Sequence, residues 1–235
     1  MKQSVGQKVD GFLRFRVDLA YEGTDFAGWA KQPGFRTVQG ELLRALEQIF
    51  GSSTDDFGMR VAGRTDAGVH AEGQVVHIDL SDGQLKRLGR SQDIALKLNT
   101  LLPKDIRVKK VIAAPKGFDA RFSASFRRYR FTIADAVSGW NPLYSRTRLW
   151  VTAELDVKKM QEAGQLLIGL KDFSAFSKAR EGATAIRELK VLKVSRNKAL
   201  GNVIEIELMA DAFAHNMVRS IVGALVKVGS GKATP

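Results

Sequence analysis

A chain of 235 residues, 44% hydrophobic and 26% charged, has the composition of a soluble globular protein and enough material for one large domain or two smaller ones. It has no cysteine, which excludes disulfides and thiolate metal sites and fits an intracellular setting. Its net charge of +12, from 37 basic against 25 acidic residues, calls for a polyanionic partner. Nucleic acid is favoured over membrane, because no helix pairs a basic face with a broad apolar one and no apolar run reaches the ~20 residues of a membrane span.

Residues 1–11 are polar, lack the apolar core of a signal peptide, and are expected to form a flexible N-terminal tail. Leu13, Phe15, Val17, Leu19 and Tyr21 then alternate with Arg14, Arg16 and Asp18, the period of a half-buried strand. The strand ends in Tyr21-Glu22-Gly23-Thr24-Asp25-Phe26-Ala27-Gly28-Trp29, a glycine-rich turn beside an aromatic ring, followed by Gln32. Such a turn could line a cleft or simply end the strand. Thr37 is placed to cap a helix over 38–50, with Val38, Leu42, Ala45, Leu46 and Ile49 on one face.

The next segment, Ala62-Gly63-Arg64-Thr65-Asp66-Ala67-Gly68-Val69-His70-Ala71, sets an Arg and an Asp two residues apart between glycines. Glycine allows close approach of another backbone or a ligand. A neighbouring guanidinium favours the ionised form of a carboxylate, which is the form a nucleophile or base needs. The plain alternative is a turn in which Asp binds local N–H groups.

Val76, Ile78 and Leu80 alternate with His77 and Asp79 as a second strand. A helix opened by Ser91 carries Ile94, Leu98 and Leu101 and stops at Pro103. After a strand over 107–112, continuity is weakest around 113–118. A boundary there divides the chain into an N-terminal half, 12–116, and a C-terminal half, 117–235. Each half is expected to be α+β, an antiparallel sheet covered by helices around its own core.

The second half opens with Phe118-Asp119-Ala120-Arg121-Phe122-Ser123-Ala124 and runs into Arg127-Arg128-Tyr129-Arg130-Phe131. On a strand, Tyr129 and Phe131 share one face while Arg128 and Arg130 share the other. Cations interleaved with aromatics hold unstacked bases and their phosphates, although a core tyrosine on a basic edge strand has the same pattern. Asp156 is expected to open a helix that Gly169 closes, and Ile204, Ile206 and Leu208 form another alternating strand.

The last helix, about 215–228, is apolar nearly all round and is expected to be buried. It carries Arg219. A buried guanidinium needs a carboxylate or a phosphate, unless it snorkels out at the helix start. The three histidines lack metal-ligand spacing, so no metal site is expected. Serine-hydrolase elbows, Walker loops and dinucleotide fingerprints are also missing from the sequence.

Taken together and in order, these segments resemble the tRNA pseudouridine synthases of the TruA family. The resemblance rests on Tyr21–Trp29, Thr37–Glu41, Ala62–Ala71, Phe118–Ala124, Arg128–Phe131, Asp172–Phe176 and Phe213–Arg219, and covers about 14–232. It implies the pseudouridine synthase fold, with two halves forming a central basic cleft. It also implies isomerisation of uridine in the anticodon stem-loop of tRNA, at positions 38, 39 and 40 of tRNA numbering. Asp66 would be the nucleophile, Tyr129 the active-site aromatic and Arg219 the partner of the Asp. Arg64 would displace the target nucleotide, and Arg121, Arg128 and Arg130 would bind RNA. No cofactor is implied; a cytoplasmic homodimer is.

Family members continue past the last helix with a further segment and strand, so the C-terminal half is expected to be truncated at Pro235. A non-catalytic tRNA-binding or RNA-folding protein on the same scaffold is the alternative reading. A nuclease or nucleoside glycosidase is a third, which would need chemistry for which no metal cluster is evident.

Overall fold

The computed structural model describes residues 8–9, 11–51, 57–88, 93–178, 182 and 184–235. The chain divides into two compact units, Met1–Ala124 and Ser125–Pro235. The division falls later than the boundary expected at 116, because the 117–124 segment is bonded to the first unit. Within it, Arg14 Nη1 donates to Phe118 O at 3.0 Å and Ala120 N donates to His77 Nδ1 at 3.0 Å.

The first unit is built from β1 (Lys8–Val9), β2 (Phe12–Tyr21), α1 (Val38–Phe50), β3 (Arg60–Val61), β4 (Ala71–Ser81), α2 (Asp82–Lys86), α3 (Ile94–Leu101) and β5 (Ile106–Ala113). Its sheet runs β1-β2-β4-β3, and β5 also pairs with β2. The expected tail therefore includes a short strand, with Val9 opposite Phe12. The alternation in β2 and β4 is realised directly. Val17, Leu19 and Tyr21 are buried, as are Val76, Ile78 and Leu80, and Val17 lies opposite Val76.

Helix α1 starts at the expected cap, where Thr37 Oγ1 accepts from Gly40 N at 3.2 Å. It buries Val38, Leu42, Ala45 and Leu46 against the sheet. Each large apolar side chain so buried contributes on the order of 1.5–3 kcal/mol before entropy is counted. The cap of α3 is Asp93, whose Oδ1 accepts from Leu96 N at 2.9 Å. Ser91, the expected opener, lies outside the described residues.

The second unit holds β6 (Arg127–Ala134), β7 (Leu149–Trp150), α4 (Val157–Gln165), β8 (Gly169–Asp172), β9 (Ile186–Asn197), β10 (Val203–Ala210) and α5 (Met217–Gly229). Its sheet runs β7-β6-β10-β9-β8 and is antiparallel except for the β6–β7 pair. Ile133, Leu192, Ile204, Ile206 and Leu208 from the sheet form one core with Met160 of α4 and Met217, Ile221 and Leu225 of α5. Helix α4 ends at Gln165, and Gly169, expected to close it, instead opens β8.

One buried ion pair braces this unit. Arg196 Nη1 and Nη2 reach the two oxygens of Asp135 at 2.9 and 2.6 Å, and Leu155 N donates to the same carboxylate at 3.1 Å. Burial alone would raise the Asp135 pKa. The Arg196 guanidinium and the Leu155 and Ser138 N–H groups overcome it and hold the value at about 2.

Helix α5 departs from expectation. Met217, Ile221, Val222, Leu225 and Val228 face the core, but Arg219, Gly223 and Lys227 form an exposed stripe. These three are four residues apart, so they fall on one side of an α-helix. The helix is amphipathic, not buried all round, and Arg219 is on its outer side.

Candidate active site

The 62–70 loop leaves β3 and returns as β4, and its backbone is held almost residue by residue. Ala62 N donates to Val75 O at 2.9 Å, and Gly63 O accepts from Gln74 Nε2 at 2.8 Å. Thr65 O accepts from Trp29 N at 3.0 Å, and Thr65 Oγ1 lies 2.8 Å from Tyr21 Oη. Gly68 N donates to Phe26 O at 3.3 Å, and Val69 N donates to Asp66 O at 3.2 Å, closing the turn.

Half of these partners, Trp29, Tyr21 and Phe26, come from the Tyr21–Trp29 segment, which decides between the two readings of that turn. It clamps the loop. Two of its glycines make the clamp possible: a Cβ at Gly23 would stand 2.0 Å from Val69 O, and one at Gly28 would stand 2.9 Å from Thr65 O. Gly28 also adopts φ +99°, which side-chain-bearing residues rarely reach. Gly23 N donates to His70 Nδ1 at 3.0 Å and fixes the end of the loop.

What remains outside the clamp is Arg64 and Asp66, both exposed. The guanidinium of Arg64 makes no hydrogen bond or ion pair among the described residues. It is therefore not paired with Asp66, contrary to the arrangement expected from their spacing. An ion pair between two exposed groups would gain little.

The 118–124 segment forms a second rigid loop on the same unit. Asp119 Oδ1 accepts from Arg121 N and Phe122 N at 2.8 and 3.0 Å. Burial acts to raise the Asp119 pKa, but these N–H donors, with His77 and Arg14, keep it below the usual carboxylate value. Arg121 and Phe122 are exposed, with the guanidinium 5.5 Å from the ring centroid. Beneath them His77 is fully buried; burial first, and then the charge of Arg14, push its pKa down.

In the second unit Tyr129 is half-buried on β6, between the exposed Arg128 and Arg130, as the strand periodicity requires. Its ring meets Phe213 edge-on at 5.0 Å, and Phe213 leads into α5 and Arg219. Arg128 Nε donates to Glu207 Oε1 at 2.8 Å across the β6–β10 pair. Its charge is therefore partly balanced from within the unit.

The structure thus brings Arg64 and Asp66 together on one loop, and Tyr129 with the start of the Arg219 helix. The first pair belongs to one unit and the second to the other.

The described geometry is accompanied by clear relationships to known proteins. A model of the family described as tRNA pseudouridine synthase matches residues 19–123 and 163–235. The chain belongs to the tRNA pseudouridine synthase family. It is 46% identical over 238 residues to tRNA pseudouridine synthase A of Leifsonia xyli, covering 96% of this chain and 82% of that protein. It is 50% identical over 227 residues to the protein of the same name from Streptomyces avermitilis, covering 96% and 78%. The corresponding Mycobacterium leprae protein is 45% identical over 234 residues, covering 94% and 78%.

Asp66 and Arg219 fall within the stretches matched by the family model, and Arg128, Tyr129 and Arg130 fall between them. Two supports of the Asp66 loop, Tyr21 and Gln74, escaped the sequence reading, as did His77, which holds the 118–124 segment. A signal for Gln74 exists. It continues the inward row of Val76, Ile78 and Leu80, so a polar group stands on a core face and must find partners there.

Proposed function

We propose that this chain is an isomerase that converts uridine to pseudouridine in tRNA, acting on the anticodon stem-loop with Asp66 as nucleophile. The observation that carries the reading is the exposed Asp66 on a loop whose backbone is clamped from beneath. A reacting carboxylate needs access to substrate and a fixed origin, and this loop supplies both.

The net reaction breaks the bond from ribose C1′ to uracil N1 and forms one from C1′ to C5. The proton on C5 is released and N1 takes one up, so atoms balance without an oxidant or reductant. The base must rotate, which stacking in a helix forbids, so the nucleotide is extruded first. Arg64, exposed two residues before Asp66, occupies the vacated space or a phosphate. Tyr129 offers a ring face and a hydroxyl to the extruded base. Arg219 supplies a cation for the negative charge of the reaction. Arg121, Arg128 and Arg130 contribute phosphate contacts, in keeping with the net charge of +12.

A tRNA substrate supports a cytoplasmic setting. Among the described residues no helix is long and apolar enough to cross a membrane. The family resemblance suggests a homodimer, which light scattering checks.

The decisive experiment compares wild type with Asp66→Asn on tRNA and quantifies pseudouridine. Wild type forms it and the variant does not, while tRNA affinity is retained. A variant that still forms pseudouridine overturns the nucleophile assignment. A wild type that binds tRNA but never forms the product favours the non-catalytic RNA-binding reading.

A further inference from the structure

Two polar side chains interrupt the apolar core directly beneath the Asp66 loop. Tyr21 ends the inward row of β2 and packs its ring on Trp29, with centroids 6.1 Å apart. Gln74 starts the inward row of β4 and is also buried. Their polar ends meet: Gln74 Nε2 donates to Tyr21 Oη at 3.2 Å and to Gly63 O at 2.8 Å. Tyr21 Oη in turn lies 2.8 Å from Thr65 Oγ1.

The direction of these bonds follows from the donor inventory. The Gln74 amide nitrogen has two N–H groups, one for Gly63 O and one for Tyr21 Oη. The phenol then directs its own proton to Thr65 Oγ1, since a buried hydroxyl proton without an acceptor is costly. Burial pushes the Tyr21 pKa up, against the opposing pull of Thr65 and Gln74, so the phenol keeps its proton through the working pH range.

A buried polar network is no stabiliser by default, and an apolar trio of the same shape would pack as well. What this one does is geometric. It ties Gly63 and Thr65, the residues on either side of Arg64, and Thr65 is the residue before Asp66. Thr65 is held twice, by its side chain and by Trp29 N at its carbonyl.

We propose that Tyr21, Thr65 and Gln74 are positioning residues for the reaction, a relay that fixes the origin of the Asp66 and Arg64 side chains. The proposal rests on the reading of Asp66 as nucleophile. None of the three is a catalytic residue. They act through the loop backbone, and their effect belongs in the chemical step rather than in RNA affinity.

The test uses the full chain with tRNA under single-turnover conditions, with affinity measured separately. Tyr21→Phe and Thr65→Val each remove one side of the hydroxyl pair while keeping the side-chain volume. Each is expected to slow pseudouridine formation about 10- to 100-fold, the size of effect that a misplacement near 1 Å produces. The dissociation constant for tRNA is expected to stay within about 2-fold, because Tyr21 is buried and the part-buried Thr65 hydroxyl is already engaged by it. Thr65→Ser keeps the hydroxyl and restores the rate to within a few-fold of wild type. The double variant Tyr21→Phe/Thr65→Val is no slower than the slower single variant, as two halves of one contact require.

Wild-type rates for Tyr21→Phe and Thr65→Val, with Asp66→Asn inactive, overturn the positioning proposal and leave the nucleophile reading standing. A loss confined to tRNA affinity overturns it too, as does a Thr65→Ser rate as low as that of Thr65→Val. An active Asp66→Asn removes the reading beneath it. Thr65→Ser is the mildest of the changes and keeps the test decisive if Tyr21→Phe fails to fold.

Discussion

Gly23 lies so close to Val69 that a methyl group on its Cα would stand 2.0 Å from the Val69 carbonyl oxygen. The two residues are far apart in sequence, and their contact is the tightest point of the clamp on the Asp66 loop. Because the obstacle is backbone, no side-chain rotation can relieve it.

Gly23→Ala is therefore expected to displace the loop and lower pseudouridine formation by at least about 100-fold. Gly73→Ala is the control, since a Cβ there meets nothing within 4 Å. Rates for the two variants, with melting temperatures, separate loop displacement from general loss of fold. Equal activity in both would show that the close approach does not matter.

His77 accepts a hydrogen bond from Ala120 N through its unprotonated Nδ1. Burial first, and Arg14 second, lower its folded pKa from the usual 6.5. The unfolded chain then binds the proton more readily, so stability is full above pH 6.5 and is lost as pH falls through the depressed folded value. Unfolding free energy measured from pH 7.5 to 5 should show this decline. His77→Asn, which keeps an acceptor but cannot titrate, should flatten it.

The Asp135–Arg196 pair predicts a second, more acidic limb. The Asp135 carboxyl is held at about 2 against an ordinary value of 3.8. Its contribution, on the order of 2 kcal/mol, is present above pH 4 and disappears as pH falls towards 2. Arg196→Met leaves a fully buried carboxylate without its cation and should cost about 3–5 kcal/mol in urea unfolding at neutral pH. A cost below 1 kcal/mol would contradict the assignment.

Arg64 and Arg128 should differ in salt dependence of tRNA binding. Arg64 has no internal partner among the described residues, whereas Arg128 is bonded to Glu207. If Arg64 meets a phosphate, Arg64→Ala reduces the slope of log affinity against log salt by about 1. Arg128→Ala should change the slope by less, because Glu207 already balances part of the Arg128 charge. Titrations at several salt concentrations decide the comparison.

Local elements and chemistry-bearing segments are legible in the residues alone. Alternation marks β2, β4 and β10, Thr37 marks the start of α1, and Arg64–Asp66 stands out as a candidate reactive loop. These signals are short-range, because strand and helix periods are written in neighbouring residues. The same range limits explain the failures. Helix α5 reads as buried nearly all round, yet the face carrying Arg219 is exposed, the snorkelling alternative, since hydropathy along one helix does not say which side meets a sheet.

The role of the Tyr21–Trp29 turn emerges from contacts between distant segments. Its bonds to Thr65, Gly68 and His70 exist because β2 and β4 pair along their length and shift register by one residue between Leu19 and Tyr21, which sets Tyr21 opposite Ala71. That register also sets Tyr21 and Gln74 against each other beneath the loop. A one-residue slip would turn both to the opposite face. The residue content of the candidate loop is thus local, while its rigidity is a property of strand pairing between distant segments.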